Sequence, residues 1–231
     1  VYTSRIQKPH FSGLVVYDPN KVFFREDSAG KVYVDDKLVK IVNTKDEADL
    51  VTIGNKLYKT VVIGNKTWLA ENLDLPTGDG LYRYLNNNEA TYGPNGLNCG
   101  LLYNSTAVTW LDENSLTLFP EGWHVPTRAE LEALVTLAGG YNTAGSGTKL
   151  KTTNEWITNP GNDEFGFHAR PCGWMTSATT VYKGFGEFVV YWDSSVDSES
   201  KRHGIQLSDS HTTITNGFYG SNVYSYLRLV K

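Results

Sequence analysis

The rhythm of apolar and polar positions changes several times along the chain. Up to about residue 50 it runs in short apolar and β-branched stretches, Leu14-Val15-Val16-Tyr17, Val22-Phe23-Phe24, Lys31-Val32-Tyr33-Val34 and Leu38-Val39-Lys40-Ile41-Val42. Asp18-Pro19-Asn20, Ala29-Gly30 and Asp35-Asp36 separate them. This predicts a small β-rich segment, readable as a module, a connector or a strand layer packed on the rest of the chain. The polar, acidic stretch Thr44 to Asp49 is the best boundary, dividing the chain into 1–50 and 51–231. A hairpin comes next, with strands 56–63 and 66–70 around Gly64-Asn65. Residues 76–100 are dense in Gly, Asn and Pro and read as loop. Two helices are expected. One covers about Thr106 to Leu111; the other opens at Thr127, where Thr127 and Glu130 form a T-x-x-E capping box. On the second, Leu131, Leu134, Val135 and Ala138 share one face, and Gly139-Gly140 ends the helix. Strands are expected again at 188–192, 204–207 and 226–230, so the whole reads as α+β with long loops.

Composition narrows the setting. The 231 residues are 40% hydrophobic and 13% aromatic, enough for a packed core, with one Met and only 20% charged residues. The balance is that of an extracellular protein. A net charge of −4 without a basic stripe argues against a nucleic-acid partner. No apolar run approaches the ~20 residues of a membrane span, and the chain opens at Val1 without signal-like regions, so export implies a signal already removed. Cys99 and Cys172 fit either one disulfide or two buried thiols.

Five separated motifs agree in order with one family. They are Ile63-Gly64-Asn65-Lys66-Thr67-Trp68-Leu69-Ala70-Glu71-Asn72-Leu73, Gly100-Leu101-Leu102-Tyr103-Asn104, Pro120-Glu121-Gly122-Trp123-His124-Val125-Pro126-Thr127, Lys149-Leu150-Lys151 with Trp156, and Asn162-Asp163-Glu164-Phe165-Gly166-Phe167 with Pro171. From about residue 53 to 231 the chain resembles the Fibrobacter succinogenes major paralogous domain of bacterial surface proteins. The resemblance implies a C-type-lectin-like fold, related to formylglycine-generating enzymes and to the variable proteins of diversity-generating retroelements. It places the protein outside the cell, on a cell surface or on a phage particle. Many relatives carry two further cysteines that look like a bridging pair; here those positions are Phe119 and Leu229. An apolar contact is expected in place of that bridge.

Catalysis finds little support. The enzyme relatives use paired cysteines in the C-terminal part, and none occurs between Gly173 and Lys231. His10, His124, His168, His203 and His211 lack metal-ligand spacing, and no G-x-S-x-G is present. His124 is expected to be a hydrogen-bonded core histidine. Asp163 and Glu164 are expected to hold their loop's backbone, or a calcium ion. The Glu-Pro-Asn and Gln-Pro-Asp tripeptides of calcium-dependent sugar lectins are missing. No cofactor, metal or catalytic residue is expected.

Recognition fits better. Residues 193–226 contain eight Ser and three Tyr among Asp, Asn, His, Thr and Gly, with no Ala, Pro, Cys, Met or Trp. Tyr offers broad contact at low entropic cost and Ser, Asn and Gly adaptable hydrogen bonds, the mixture of a paratope. The candidates for ligand contact are Asp193, Asp197, Ser198, His203, Asp209, His211, Asn216, Phe218, Tyr219, Asn222 and Tyr224, with Trp192 and Arg228 as scaffold anchors and Ile205, Leu207 and Val223 in the core. The expected partner is a protein or glycan on another cell or surface, met by a surface that the retroelement resemblance implies is hypervariable. The competing reading is a structural module of a cell envelope or pilus without a dedicated ligand.

Overall fold

In the computed structural model the described residues are 24–26, 31–34, 37–41, 50–78, 81–84, 99–177 and 182–231. The backbone divides into two compact units, Val1–Leu50 and Val51–Lys231. The first contains an antiparallel sheet in the order β1 (Phe24–Glu26), β2 (Lys31–Val34), β3 (Lys37–Ile41). Phe24 faces Val34 and Lys31 faces Ile41. The strand expected at 14–17 lies outside the described residues.

The second unit is a mixed assembly of strands and three helices. It opens with the sheet β4 (Leu50–Ile53), β5 (Lys56–Ile63), β6 (Lys66–Leu69). Both connections are Gly-Asn turns with positive φ at the glycine, Gly54 at 60° and Gly64 at 64°, which suits a tight hairpin. The first of these hairpins was not legible, because 50–53 directly succeeds the acidic boundary. Then come β7 (Tyr82–Arg83) paired with β8 (Leu102–Tyr103), α1 (Ser105–Glu113), the short α2 (Ser115–Leu118) and α3 (Arg128–Ala138). The third helix, α2, is a correction to the two expected; its single turn buries no residue and leaves no apolar stripe to read. Asn104 caps α1 by accepting from the Ala107 N–H at 2.8 Å, and the capping box of α3 is present in both directions.

The C-terminal sheet runs in the order β10 (Tyr182–Phe185), β9 (Cys172–Thr176), β11 (Phe188–Val196), β12 (Arg202–Ser208), β13 (Ile214–Tyr219), with β14 (Val223–Tyr224) also on β9. Side chains alternate across it. Val189, Tyr191, Ile205, Leu207 and Ile214 pack with Leu131, Leu134, Val135 and Ala138 of α3. Val190 and Trp192 project oppositely and pack with Ala107, Val108 and Leu111 of α1. The sheet therefore supports a core on each face. The burial expected for Ile205, Leu207 and Val223 is observed. Phe119 and Leu229 are both buried in the second core. Cys99 and Cys172 are joined, with Cα atoms 5.9 Å apart and a sequence separation of 73. Closing a loop of that length stabilises the fold by roughly 4 kcal/mol through the unfolded chain.

Residues 226–230 form an extended segment held by isolated bridges instead of a continuous strand. Leu227 and Leu229 carbonyls accept from Leu73 and Leu69 N–H groups at 2.9 and 3.0 Å, while Val230 exchanges bonds with His124. From this segment Arg228 enters the core. Its guanidinium donates to Asn72 Oδ1 at 2.8 Å, Leu69 O at 3.1 Å, His168 O at 2.9 Å, the Tyr191 hydroxyl at 3.4 Å and the Phe167 carbonyl, and lies over the Phe167 and Tyr191 rings. Arg228→Met leaves those carbonyls without a donor and should cost about 3–5 kcal/mol; Arg228→Lys cannot reproduce the fork and should lose more than half of that. Urea unfolding of the whole chain measures both.

Glu130 joins α3 to the β5–β6 hairpin. Its carboxylate accepts from Lys66 Nζ at 2.6 Å, from the Thr127 N–H at 2.9 Å and hydroxyl at 2.8 Å, and from His124 Nε2 at 3.0 Å. His124, half-exposed, also reaches the Gly122 carbonyl at 2.9 Å, so it is hydrogen-bonded but not a core residue. Burial opposes ionisation of Glu130, yet Lys66, Thr127 and His124 outweigh it and lower the carboxyl from 4.5 to about 2. A carboxyl lowered on folding contributes stability that is complete above pH 4.5 and lost as the pH falls toward 2. Glu130→Gln should remove about 1–2 kcal/mol at pH 7 and flatten the melting temperature between pH 5 and pH 3 relative to the parent, as read by circular dichroism.

Candidate functional site

Antiparallel connectivity decides which candidates can meet. The β11–β12 loop (197–201) and the β13–β14 turn (220–222) lie at one end of the C-terminal sheet, and the β12–β13 turn (209–213) lies at the other. Asp197, Ser198, Phe218, Tyr219 and Asn222 gather at the first end, Asp209 and His211 sit at the second, and Asn216 is midway along β13. Burial corrects the set further: Asp193, His203, Asp209 and Tyr224 are enclosed and present no side chain for a ligand.

Each of these four is buried because it has structural work. Asp193 accepts from His203 Nδ1 with one carboxylate oxygen and from the Ser195 N–H at 2.8 Å with the other. Its carbonyl accepts from Arg202 Nη1 at 2.8 Å, and Arg202 continues to the Ser105 carbonyl at 3.0 Å and the Thr109 hydroxyl at 2.5 Å. The network ties the β11–β12 hairpin to the start of α1. Tyr224 accepts from Asn104 Nδ2 at 3.2 Å. Asp209 accepts from the Thr158 and Asn159 N–H groups at 2.7 and 2.9 Å. Beside it Lys151 donates to the carbonyls of Asn159, Ser208 and His211 at 3.2, 2.6 and 2.8 Å, over the Trp156 ring at 4.5 Å. Burial lowers this ammonium to about 8, against the pull of Asp209. The 209–213 end is thus clamped, and His211 is exposed there without another candidate beside it.

At the opposite end the side chains divide between holding and presenting. Asp197 Oδ1 accepts from the Glu199 and Lys201 N–H groups, both at 2.9 Å, and fixes its loop. Tyr219 donates to Gln206 Oε1 at 3.1 Å and packs edge-on against Trp192 at 5.3 Å. Ser198, Phe218 and Asn222 are exposed. Phe218 rests on the buried His203 ring at 5.2 Å and has the Arg128 guanidinium over it at 5.6 Å, with Arg128 paired to Glu132 at 2.8 Å. Asn216 Nδ2 lies 3.4 Å from His203 Nε2, which suits the tautomer with the proton on Nδ1, facing Asp193.

Arg128 and Glu132 are surface residues that the C-terminal segment could not reveal, because they come from the first turns of α3. Their i, i+4 spacing was visible, but not which strand that face of the helix would meet. Asp163, as expected, holds its loop, accepting from the His168 N–H at 2.8 Å. Among the described residues no cluster of His, Cys, Asp and Glu could hold a metal ion. Among the described residues the His203 ring nitrogens meet the Asp193 carboxylate and Asn216 Nδ2.

Residues of three of the motifs meet in this scaffold: Trp68 and Phe167 stack edge-on at 6.0 Å, Asn72 bridges the Cys99 carbonyl to Arg228, and Lys151 covers Trp156. The family model of the Fibrobacter succinogenes major domain matches residues 61–231. The chain belongs to this family. No curated protein and no solved structure matches it. In this Fibrobacter succinogenes major domain the motif residues build the core, and the exposed candidates lie between and beyond them. Asp193→Ala and His203→Ala should each cost about 2–4 kcal/mol in urea unfolding, because either leaves a buried polar partner unpaired, whereas Ser198→Ala should stay within about 0.5 kcal/mol of the parent.

Proposed function

We propose that this chain is a ligand-recognition domain with a C-type-lectin-like fold, displayed outside the cell or on a phage particle, whose contact surface is the sheet end formed by loop 197–200, turn 220–222 and Phe218. One observation carries this reading. The exposed side chains Ser198, Phe218 and Asn222 lie at the end of a sheet whose strands carry buried, hydrogen-bonded or tightly packed residues, Trp192, Asp193, Arg202, His203 and Tyr224, and Phe218 rests on the His203 ring. A surface of that kind tolerates exchange of its outer residues, since none of them contributes to the core. The Cys99–Cys172 bond supports an oxidising location. The exposed set mixes an aromatic ring with small polar groups and a flanking Arg–Glu pair, which suits a protein or glycan partner better than an apolar metabolite.

Variation concentrated in 193–226 among genes of sibling strains, beside a template copy and a reverse transcriptase gene, would extend the reading to a retroelement variable protein. The direct test is the triple variant Ser198→Ala, Phe218→Ala, Asn222→Ala, probed on a glycan array and against a panel of purified bacterial surface proteins. The parent is expected to bind at least one probe, and the variant to bind it at least tenfold more weakly with a melting temperature within a few degrees. A parent that binds nothing, or a variant that binds equally well, favours the structural envelope module instead.

A further inference from the structure

The C-terminal sheet ends at β13, whose strand partner is β12. At its first residue the outer side is closed: the Ile214 N–H donates to Ser146 Oγ at 3.0 Å, and the Ile214 carbonyl accepts from the Asn142 N–H at 2.9 Å. Backbone direction alternates along an antiparallel strand, so Thr215, Gly217 and Tyr219 bond to β12 while Asn216 and Phe218 turn their N–H and C=O groups outward. Among the described residues these four groups have no partner. The open edge is the window 215–219, bounded by the closed Ile214 and by Gly220.

Sheet edges are ordinarily guarded by Lys, Pro, an inward charge or a bulge. The strand Ile-Thr-Asn-Gly-Phe-Tyr has none of these residues, and its register with β12 is unbroken. We propose that this edge is a self-association surface, on which β13 of a second copy pairs antiparallel about a two-fold axis through Gly217.

The symmetry of the window points to that occupant. With Gly217 opposite Gly217 of the second copy, Asn216 faces Phe218 of the second copy on both sides of the axis, and the outward groups meet in four N–H···O=C bonds. The central pair is then of the non-hydrogen-bonded kind, where Cα atoms approach to about 4.5 Å. A residue without a side chain suits that approach, and the space at Gly217 is bordered only by its own Tyr219 at 3.5 Å. Thr215 faces Tyr219 of the second copy, a β-branched and aromatic cross-strand pair. No charge lies in the window to repel its copy. One position further, Ile214 with its covering loop meets Gly220 of the second copy, which leaves room for it. A five-residue edge is small beside the ~1,200–2,000 Å² of a stable complex, so the dimer forms only at raised concentration. It uses the β13 backbone, takes up Phe218 of the proposed contact surface and leaves loop 197–200 outside the window; it does not depend on the ligand reading, and Asn216→Pro, which lies outside that contact surface, lets the two fail separately.

Sedimentation velocity of the full chain, from low micromolar to several hundred micromolar, should show the mass rising from 25.7 kDa toward twice that value. Asn216→Pro should keep the parent melting curve, because the N–H it removes faces away from β12, and should remain monomeric throughout. Should its melt fall, Phe218→Lys takes its place, with the same expected loss of dimer. Gly217→Cys should give a disulfide-linked dimer under mild oxidation, and Thr215→Cys should not, since only position 217 faces itself across the axis. A parent that is monomeric at the highest concentration overturns the proposal, as does a folded edge variant as dimeric as the parent, or cross-linking that does not distinguish positions 217 and 215.

Discussion

The fold depends on a guanidinium in the core that, among the described residues, is hydrogen-bonded by carbonyls, an amide and a hydroxyl and by no carboxylate. Arg228 satisfies its donors with the carbonyls of Leu69, Phe167 and His168, the Asn72 amide and the Tyr191 hydroxyl. A buried charge is costly unless every donor is met, so these five acceptors, drawn from β6 and the residues just after it, the 162–168 loop and β11, have to be in place together. The C-terminal segment, and with it the sheet that carries the exposed loops, is positioned by that one requirement. Asn72 extends the network to the Cys99 carbonyl, next to the disulfide that anchors the start of β9.

The sheet itself is a two-sided partition. α3 covers one face and α1 the other, so strands β11 and β12 read as nearly continuous apolar or enclosed positions, while the edge strands β10 and β13 and the connections are more open to solvent. This explains why a segment rich in polar residues is nevertheless mostly structural. Arg202 sits where the β11–β12 hairpin passes over α1, with Asp193 and His203 on the α3 side of the same hairpin, and buried polar groups there must pair with one another. The candidates left exposed after those pairings lie on loop 197–200, turn 220–222 and β13, with His211 apart at the other end of the sheet.

Much of the scaffold was legible from residue order. The capping box at Thr127, the helical spacing of Leu131, Leu134, Val135 and Ala138, the Gly64-Asn65 hairpin and the anchoring roles of Trp192 and Arg228 are local or compositional signals, and all appear as expected. Less was legible of the candidate site. Asp193, His203, Asp209 and Tyr224 belong to residue types common in paratopes, but type says nothing about which side of a strand faces a helix; Arg128 and Glu132 were missed because their contribution depends on how α3 crosses β13.

The sequence by itself determined the family, the mixed class, the element types and the residues that fill the core, because apolar periodicity, caps and turn glycines act over a few neighbouring positions. Tertiary structure alone decided that the two cysteines meet, that the candidates fall at opposite ends of one sheet, that four of them are enclosed, and that β13 is its edge. Those outcomes depend on pairings between residues up to more than a hundred positions apart, where hydrogen-bond satisfaction and packing, not local propensity, choose the partner.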